Sequence, residues 1–319
     1  MRNLAQELGA LTQVALRPHT TLRAGGRAEY FLEADSTDLL AEVAAKAQGL
    51  GVPVTPLGAG SNVLPSDDGV AGLVLVNRAR NLVVEQDQIL VDTGIAFQNL
   101  FLRSVHLGFR GLEYAVGIPG SLGGALVSNA GAYRSSVSEF LTGLEIVVGG
   151  RRQWVEPAWM QFSYRDSILR GPTPPQCVVL RVRMRLPKGD AKASYDEARE
   201  YQRQRISKQP APASAGSFFK NVNDETLAQS LDTLPIGLKQ AGVVPAGYLL
   251  EAAGLKGHRL GGARFSDRHA NFMLNVGGAT ATDIRRLAEL AKGRVRDQLG
   301  VALEEEVLYL GDWSTFAIS

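Results

Sequence analysis

The sequence predicts an α+β protein of two or three compact domains, because helical and strand patterns follow one another irregularly along its 319 residues. Residues 36–50 have a Ser-Thr-Asp start, apolar residues at helical spacing and glycines at the end, which predicts a helix. Short apolar runs at 52–57 and 71–76 predict two strands, and the turn 58–62 separates them. The pattern becomes rich in β-strands after residue 82, which completes the α+β prediction.

The β-rich part contains two predicted hairpins. Residues 86–88 separate the runs LVVE and ILVD, and Gly149-Gly150 separate LEIVV from RQWVE. Between the hairpins, residues 97–107 predict a helix that Gly108 ends, and the alternating residues 177–186 predict a strand further along the chain.

The last third of the chain begins with the proline-containing stretch KQPAPASAGS at 208–217, which predicts an extended connection and the start of a further domain. The last helix is predicted to begin at a Thr282-Asp283 cap and to end at Gly300, with its apolar residues on one face. A terminal strand is predicted at 301–310.

Composition argues against several classes of protein. With 45% hydrophobic and 21% charged residues, no apolar run of about 20 residues and no secretory signal pattern, we expect a cytoplasmic protein outside the membrane. A net charge of +2 with scattered arginines argues against nucleic-acid binding. The single Cys177 cannot form an internal disulfide and is predicted to be a small core residue. The four separated histidines lack metal-ligand spacing, so no metal is expected.

Two glycine-rich turns, GAGSN at 58–62 and GIPGSLGGA at 117–125, are prominent among the 35 glycines. Neither has the spacing and the following helix of a Rossmann dinucleotide turn, and no GxxxxGK[ST] phosphate loop occurs. Main-chain N–H groups without obstructing side chains nevertheless form concave anion sites, and two such loops can hold the two phosphates of a dinucleotide. The alternative is that both are only tight turns.

Further motifs accompany the two turns in a fixed order. They are HTTLRAGGRA at 19–28, GLEYAVGIPGSLGGALVSNAGAY at 111–133, FSYRDS at 162–167, KQPAPASAGSFFKN at 208–221, GYLLEAAGLKGHRLGGARFSDRHANFMLN at 247–275 and LEEEV at 303–307. This series, over about residues 18–311, resembles the UDP-N-acetylenolpyruvoylglucosamine reductase family. Arg165 and Ser217 are separated by a short stretch of sequence. This spacing resembles that of the family's shorter subtype, which lacks an extra tyrosine-bearing loop.

The resemblance implies a two-subdomain FAD-binding fold of the PCMH or vanillyl-alcohol-oxidase type, followed by an α+β substrate-binding domain. The subdomains are expected at 1–78 and 79–207 and the substrate-binding domain at 208–319. The last strand and tail, about 303–319, are expected to pack back on the FAD domains.

The resemblance also implies the reaction. The family reduces UDP-N-acetylglucosamine enolpyruvate to UDP-N-acetylmuramate in peptidoglycan precursor synthesis, with FAD as cofactor and NADPH as hydride donor. A monomer is expected. The cofactor-binding residues implied by the two turns are Gly58, Ala59, Gly60, Ser61, Asn62, Gly117, Ile118, Pro119, Gly120, Ser121, Gly123 and Gly124. For the substrate the resemblance points to Lys208, Asn221 and His269.

Three residues are expected to carry the chemistry. A planar guanidinium can grip a carboxylate and its enolate form, which the resemblance assigns to Arg165; the alternative is a surface ion pair with Asp166. Ser217 is expected to donate the proton to the enolate carbon; the alternative is a loop serine that caps a turn. Glu306 directly precedes a valine, as the family's acid does, and is expected to stabilise the enol with Arg165; the alternative is an exposed edge of acidic residues.

Two other functions are compatible with the glycine turns. An FAD-dependent oxidase of a small alcohol or sugar would explain the turns but not Arg165, Ser217 and LEEEV together. A non-catalytic module that binds a UDP-sugar would yield a colourless protein. The absorption spectrum of the purified protein, before and after NADPH and substrate, distinguishes the three hypotheses.

Overall fold

The computed structural model describes residues 2–208, 210 and 213–317, and it confirms the α+β class. The helices are Arg2–Leu8 (α1), Thr37–Gly49 (α2), Phe97–His106 (α3), Leu122–Val127 (α4), Ala191–Lys208 (α5), Glu225–Ser230 (α6), Ile236–Ala241 (α7), Ala246–Ala252 (α8) and Ala281–Leu299 (α9). The strands are Leu11–Ala15 (β1), Arg27–Ala34 (β2), Val54–Leu57 (β3), Val63–Pro65 (β4), Val70–Asn77 (β5), Leu82–Glu85 (β6), Gln88–Asp92 (β7), Gly131–Ala132 (β8), Ser135–Ser136 (β9), Leu141–Val148 (β10), Arg151–Val155 (β11), Cys177–Met184 (β12), Ser214–Ser217 (β13), Val222–Asn223 (β14), Val243–Val244 (β15), Arg259–Leu260 (β16), Ala263–Phe265 (β17), Phe272–Asn275 (β18) and Leu308–Leu310 (β19). Among the helices described, none is both long enough and apolar enough to cross a bilayer.

Contacts between residues divide the chain into two compact units. The first comprises Met1–His19, Gly26–Ser61 and Gly69–Ser207, and the second comprises Thr20–Gly25, Asn62–Asp68 and Lys208–Ser319. Two short N-terminal segments therefore belong to the same unit as the C-terminal third. The three-domain division stays a prediction.

The first unit contains two sheets. One has the strand order β1-β2-β5-β3 and the other the order β11-β10-β12-β7-β6. Helix α2 begins at Ser36, whose Oγ accepts a hydrogen bond from the N–H of Leu39 (3.3 Å). Its buried face, including Leu40 and Ala44, packs in one apolar cluster with residues of both sheets, such as Leu75 and Val178. This helix therefore joins the two sheets within the unit.

Two features of the first unit follow from burial. Cys177 begins strand β12 and is buried, as predicted, and burial raises the pKa of its thiol to about 12. Helix α5 was not predicted because it is rich in charged residues. Only Ser194 and Ala198 are buried among its described side chains, so no apolar period marks it.

The second unit is built around the sheet β13-β18-β17-β16 and helices α8 and α9. The predicted helix cap was wrong. Helix α9 starts at Thr280, whose Oγ1 accepts from the N–H of Asp283 (3.0 Å), and the Asp67 carboxylate accepts from the N–H of Ala281 (2.9 Å) and Thr282 (2.8 Å). Thr282 thus lies inside the first turn.

The predicted strand at 301–310 was also too long. Only Leu308–Leu310 is a strand, and it pairs in parallel with Val63–Pro65. Residues before it form a single bridge, between Phe219 and Glu305. The apolar side chains of Val301, Leu303 and Val307 are buried in the core of the unit, which explains the strand-like sequence pattern without a sheet.

Candidate active site

The two glycine-rich turns pack directly against each other in the first unit. A Cβ atom on Gly58 would lie 2.1 Å from Oγ of Ser121, and a Cβ atom on Gly120 would lie 2.6 Å from Oγ of Ser61. The Ser61 hydroxyl also donates a hydrogen bond to the main-chain oxygen of Pro119 (3.2 Å). Both glycines are therefore required by the close approach of the turns.

The backbone of these turns supplies unused donors. The φ angle is +63° at Gly60, +71° at Gly117 and +119° at Gly120, a region that glycine adopts without strain. In the described part of the chain, the N–H groups of Ala59, Ser61 and Gly120 have no acceptor. Such N–H groups bind anions well, so the pair of turns fits the diphosphate of FAD.

Other N–H groups of the second turn are already occupied. Gly123 donates to the main-chain oxygen of Thr93 (2.8 Å), and Gly124 donates to Oγ of Ser121 at the start of α4 (3.3 Å). Ile118 donates to Ala115 (3.0 Å). These three residues shape the turn, and the donors open to a ligand lie near Gly120.

Arg165 lies in a tight turn of the first unit, where Ser163 and Asp166 form a bridge. Its own φ is +53°, an uncommon value for a residue with a side chain. The guanidinium donates to the main-chain oxygens of Asn129 (3.4 Å) and Gly131, and its carbon lies 5.3 Å from the centre of the Tyr164 ring. These main-chain oxygens and the Tyr164 ring hold the guanidinium in place within the turn.

Ser217 ends strand β13 in the second unit. The register between β13 and β18 shifts between Ser214 and Ser217, which is a β-bulge, and Gly216 within it has a φ of +78°. A bulge redirects the side chains that follow it. The Ser217 hydroxyl is partly exposed and has no hydrogen-bond partner among the described residues. The backbone thus presents a free hydroxyl at this point.

The segment after Ser217 runs antiparallel to the acidic segment near the C-terminus. The N–H of Glu306 donates to the oxygen of Phe218 (2.8 Å), and the N–H of Lys220 donates to the oxygen of Glu304 (2.8 Å). The Asn62 side chain donates to the oxygen of Glu306 (3.0 Å). Two predicted catalytic residues, far apart in sequence, are thereby brought together by main-chain pairing.

The three adjacent glutamates have different environments. Glu304 is exposed and forms an ion pair with the buried Lys220 (2.6 Å). Glu305 accepts from Lys292 (3.0 Å) and from the Tyr309 hydroxyl (3.4 Å). Lysines therefore hold the carboxylates of Glu304 and Glu305. Glu306 stays the predicted acid because of its place directly before Val307 in the family pattern.

The three predicted substrate residues have unequal support. The Asn221 side chain accepts from the N–H of Ala246 at the start of α8 (3.2 Å), and Nδ1 of His269 accepts from the N–H of Asn271 (3.2 Å). Each of these contacts holds the backbone of the second unit. Lys208 ends helix α5, but its side chain lies outside the described residues.

Sequence reasoning missed Asn271, which is buried beside the catalytic segment. Its amide donates to the main-chain oxygen of Phe219 (2.8 Å), and its Oδ1 accepts from the N–H of the same residue (2.9 Å). These two hydrogen bonds hold the segment that directly follows Ser217, in which Phe219 forms a bridge with Glu305. The buried asparagine in the motif SDRHANFMLN was the available signal.

A second missed residue is Arg205, near the end of α5. Its guanidinium donates to the main-chain oxygen of Tyr114 (3.4 Å) beside the second glycine turn. Nothing in the sequence around it marks a site. The described residues contain no group of three or more His, Cys, Asp or Glu side chains that could hold a metal ion.

Comparison with known proteins adds independent findings. The UDP-N-acetylenolpyruvoylglucosamine reductase C-terminal domain matches residues 207–310, and an FAD binding domain matches residues 28–151. A UDP-N-acetylenolpyruvoylglucosamine reductase from Synechococcus sp. is 39% identical over 96% of this chain and 93% of its own length. One from Rubrobacter xylanophilus is 38% identical over 93% of this chain and 94% of its own length. The crystal structure of the Thermus caldophilus reductase has a TM-score of 0.74 at 30% identity, over 94% of this chain and 98% of its own.

Proposed function

This chain belongs to the UDP-N-acetylenolpyruvoylglucosamine reductase family and is an FAD-binding oxidoreductase. We propose that it reduces UDP-N-acetylglucosamine enolpyruvate to UDP-N-acetylmuramate for peptidoglycan synthesis, with NADPH as the hydride donor. We place this reaction in the cytoplasm and assign it to a monomer. The geometry of the two glycine turns and the main-chain pairing of Phe218 with Glu306 support this proposal.

The two glycine turns are proposed to hold the cofactor. When bound, FAD accepts hydride from NADPH and delivers it to the substrate. The N–H groups of Ala59, Ser61 and Gly120, which have no acceptor among the described residues, would donate to its diphosphate. The close packing of Gly58 on Ser121 keeps the two turns close together, as a shared diphosphate site requires.

The protein must also stabilise the enolate that forms next to the substrate carboxylate. Arg165 is proposed to bind that carboxylate, because its guanidinium is charged and is oriented by main-chain oxygens. Glu306 is proposed to share this task as the acid that stabilises the enol. The carboxylates of its neighbours Glu304 and Glu305 are held by lysines.

Ser217 is proposed to donate its Oγ proton to the enolate carbon. A serine hydroxyl is a weak acid, so it can do this only if it is positioned and kept from bulk water. The observation that carries the proposal is the pairing of Phe218 with Glu306, because it holds the segment after Ser217 beside the segment that carries Glu306.

Two half-reactions test this function. Purified protein should be yellow, anaerobic NADPH should bleach it, and UDP-N-acetylglucosamine enolpyruvate should restore the colour. Ser217→Ala should spare the bleaching and slow the recovery of colour about 10²- to 10⁴-fold. Ser214→Ala, on the same strand, is the matched control and should retain both steps.

The outcomes separate the alternatives. Equal loss of both steps in Ser217→Ala would exclude the serine as proton donor. A bleached flavin that the UDP-sugar does not reoxidise would overturn the proposed reaction, and oxygen consumption with sugars or alcohols would then indicate an oxidase.

A further inference from the structure

Arg205 lies against the second glycine turn within the first unit. A Cβ atom on Gly117 would lie 3.1 Å from Cδ of Arg205, and the guanidinium carbon lies 5.9 Å from the centre of the Tyr133 ring. One terminal nitrogen donates to the main-chain oxygen of Tyr114 (3.4 Å). The side chain is therefore fixed at the edge of the proposed cofactor cradle.

This arginine has a buried donor without an acceptor. Nε of Arg205 is buried, and it makes no hydrogen bond within the described part of the chain. Burial lowers the pKa of Arg205, and the charge of Arg165 acts in the same direction. A desolvated guanidinium with an unsatisfied N–H and a second cation nearby is costly unless an anion completes the site.

Other arginines of α5 differ. Arg199 forms an ion pair with Asp196 (3.6 Å) and Arg203 with Glu200 (3.7 Å), and both arginines are exposed. No carboxylate among the described residues pairs with Arg205. The hydroxyl of Tyr114 is also buried without a hydrogen-bond partner in the described structure, and the charge of Arg165 reaches it as well.

We propose that Arg205 binds a phosphate group of a nucleotide at the Gly117 edge of the second glycine turn. The planar guanidinium matches phosphate oxygens. Gly117, whose N–H donates to Oε1 of Gln98 (3.3 Å), has no side chain to keep a phosphate away from the guanidinium. The phosphate comes either from FAD or from one of the reacting nucleotides, NADPH and the UDP-sugar. The inference rests on the proposed function for the identity of those nucleotides.

Arg205→Met removes the charge and keeps the length of the side chain, whereas Arg205→Lys keeps a charge. Arg203→Met is the matched control, since it removes an exposed charge from the same helix. The dissociation constant of FAD, the KM values for NADPH and for the UDP-sugar, and the inhibition constant of pyrophosphate on the holoenzyme are measured. We expect Arg205→Met to weaken the binding of one nucleotide about 10- to 100-fold. Arg205→Lys should restore part of that affinity, and Arg203→Met should change the affinity less than about twofold.

The pattern of effects identifies the source. Weaker FAD binding with unchanged KM values assigns the phosphate to FAD, and a raised KM together with weaker pyrophosphate inhibition assigns it to that reacting nucleotide. Unchanged binding of all three nucleotides in Arg205→Met, or an equal loss in Arg203→Met, overturns the proposal. If the wild-type flavin is not reoxidised by the UDP-sugar, the proposed function fails, while FAD affinity and pyrophosphate binding still test Arg205.

Discussion

The two glycine turns, and the pairing of Phe218 with Glu306 beside Ser217, are held in place by opposite means. In the turns, the absence of side chains lets two backbones approach until a Cβ on Gly58 would lie 2.1 Å from Ser121. In the pairing, main-chain hydrogen bonds and the buried amide of Asn271 hold the two segments that carry Ser217 and Glu306, the proposed proton donor and acid. We infer that a side chain added to a glycine disturbs the turns, whereas the loss of a hydrogen bond disturbs the pairing of Phe218 with Glu306.

After Ser217→Ala, the largest effect is expected at Glu306, the proposed acid. Glu306→Gln keeps the shape of the side chain but removes the carboxyl group proposed to stabilise the enol, so reoxidation of the flavin should slow about 10²- to 10³-fold. Flavin content and reduction by NADPH should not change. Glu304→Gln is the control, because its amide oxygen can still accept from Lys220. A similar loss in both variants would reject Glu306 as the acid.

Asn271→Ala should be the most destabilising change near the site. It removes both hydrogen bonds to Phe219 and leaves a buried N–H and C=O without partners, at a cost of about 3 kcal/mol in the free energy of unfolding. Urea unfolding measures this cost. Asn223→Ala, at an exposed position, should change stability by less than about 0.5 kcal/mol. Equal stability of both variants would contradict this account.

The glycine turns should respond to a single added methyl group. Gly120→Ala places a Cβ near Ser61 at a φ of +119°, which costs about 1–3 kcal/mol and should lower FAD affinity about tenfold. The ratio of flavin absorbance to protein absorbance measures this. Gly293→Ala, in helix α9, has an ordinary φ and no atom within 4 Å of the added Cβ, so it should retain the flavin. Equal flavin loss in the two variants would refute the steric argument.

The smallest effect is expected away from both regions. Thr280→Ala removes one cap of α9, but Asp67 still accepts from the first turn. The free energy of unfolding should fall by about 1 kcal/mol, with turnover unchanged. Thermal unfolding and steady-state rates check both statements, and a loss of turnover would show that the helix start influences the site.

Sequence predicted the local features of both regions and not their assembly. The glycine pattern at 58–62 and 117–125 was visible, and so were the positions of α2, α3 and α9 and of the strands in the two hairpins, because each depends on neighbouring residues. The packing of Gly58 on Ser121 and the pairing of Phe218 with Glu306 join distant segments, which no local pattern specifies. Helix α5 was missed because its residues are mainly polar, and Arg205 was missed with it.

The irregular backbone at Ser217 could not be foreseen either. A bulge depends on the partner strand, and Ser-Ala-Gly-Ser alone is compatible with a simple turn. The terminal strand was overestimated because Val301, Leu303 and Val307 alternate and are buried, although their backbone joins no sheet. Alternation indicates which side chains are buried and does not identify what the backbone bonds to.

The composition of the second unit has a consequence for biosynthesis. Strand Val63–Pro65 pairs with Leu308–Leu310, and Asp67 caps a helix that begins at Ala281. A ribosome releases these early segments long before their partners exist, whereas every segment of the first unit lies before residue 208. We infer that the first unit can begin to fold during translation, and that the second can close only when the C-terminal strand has emerged.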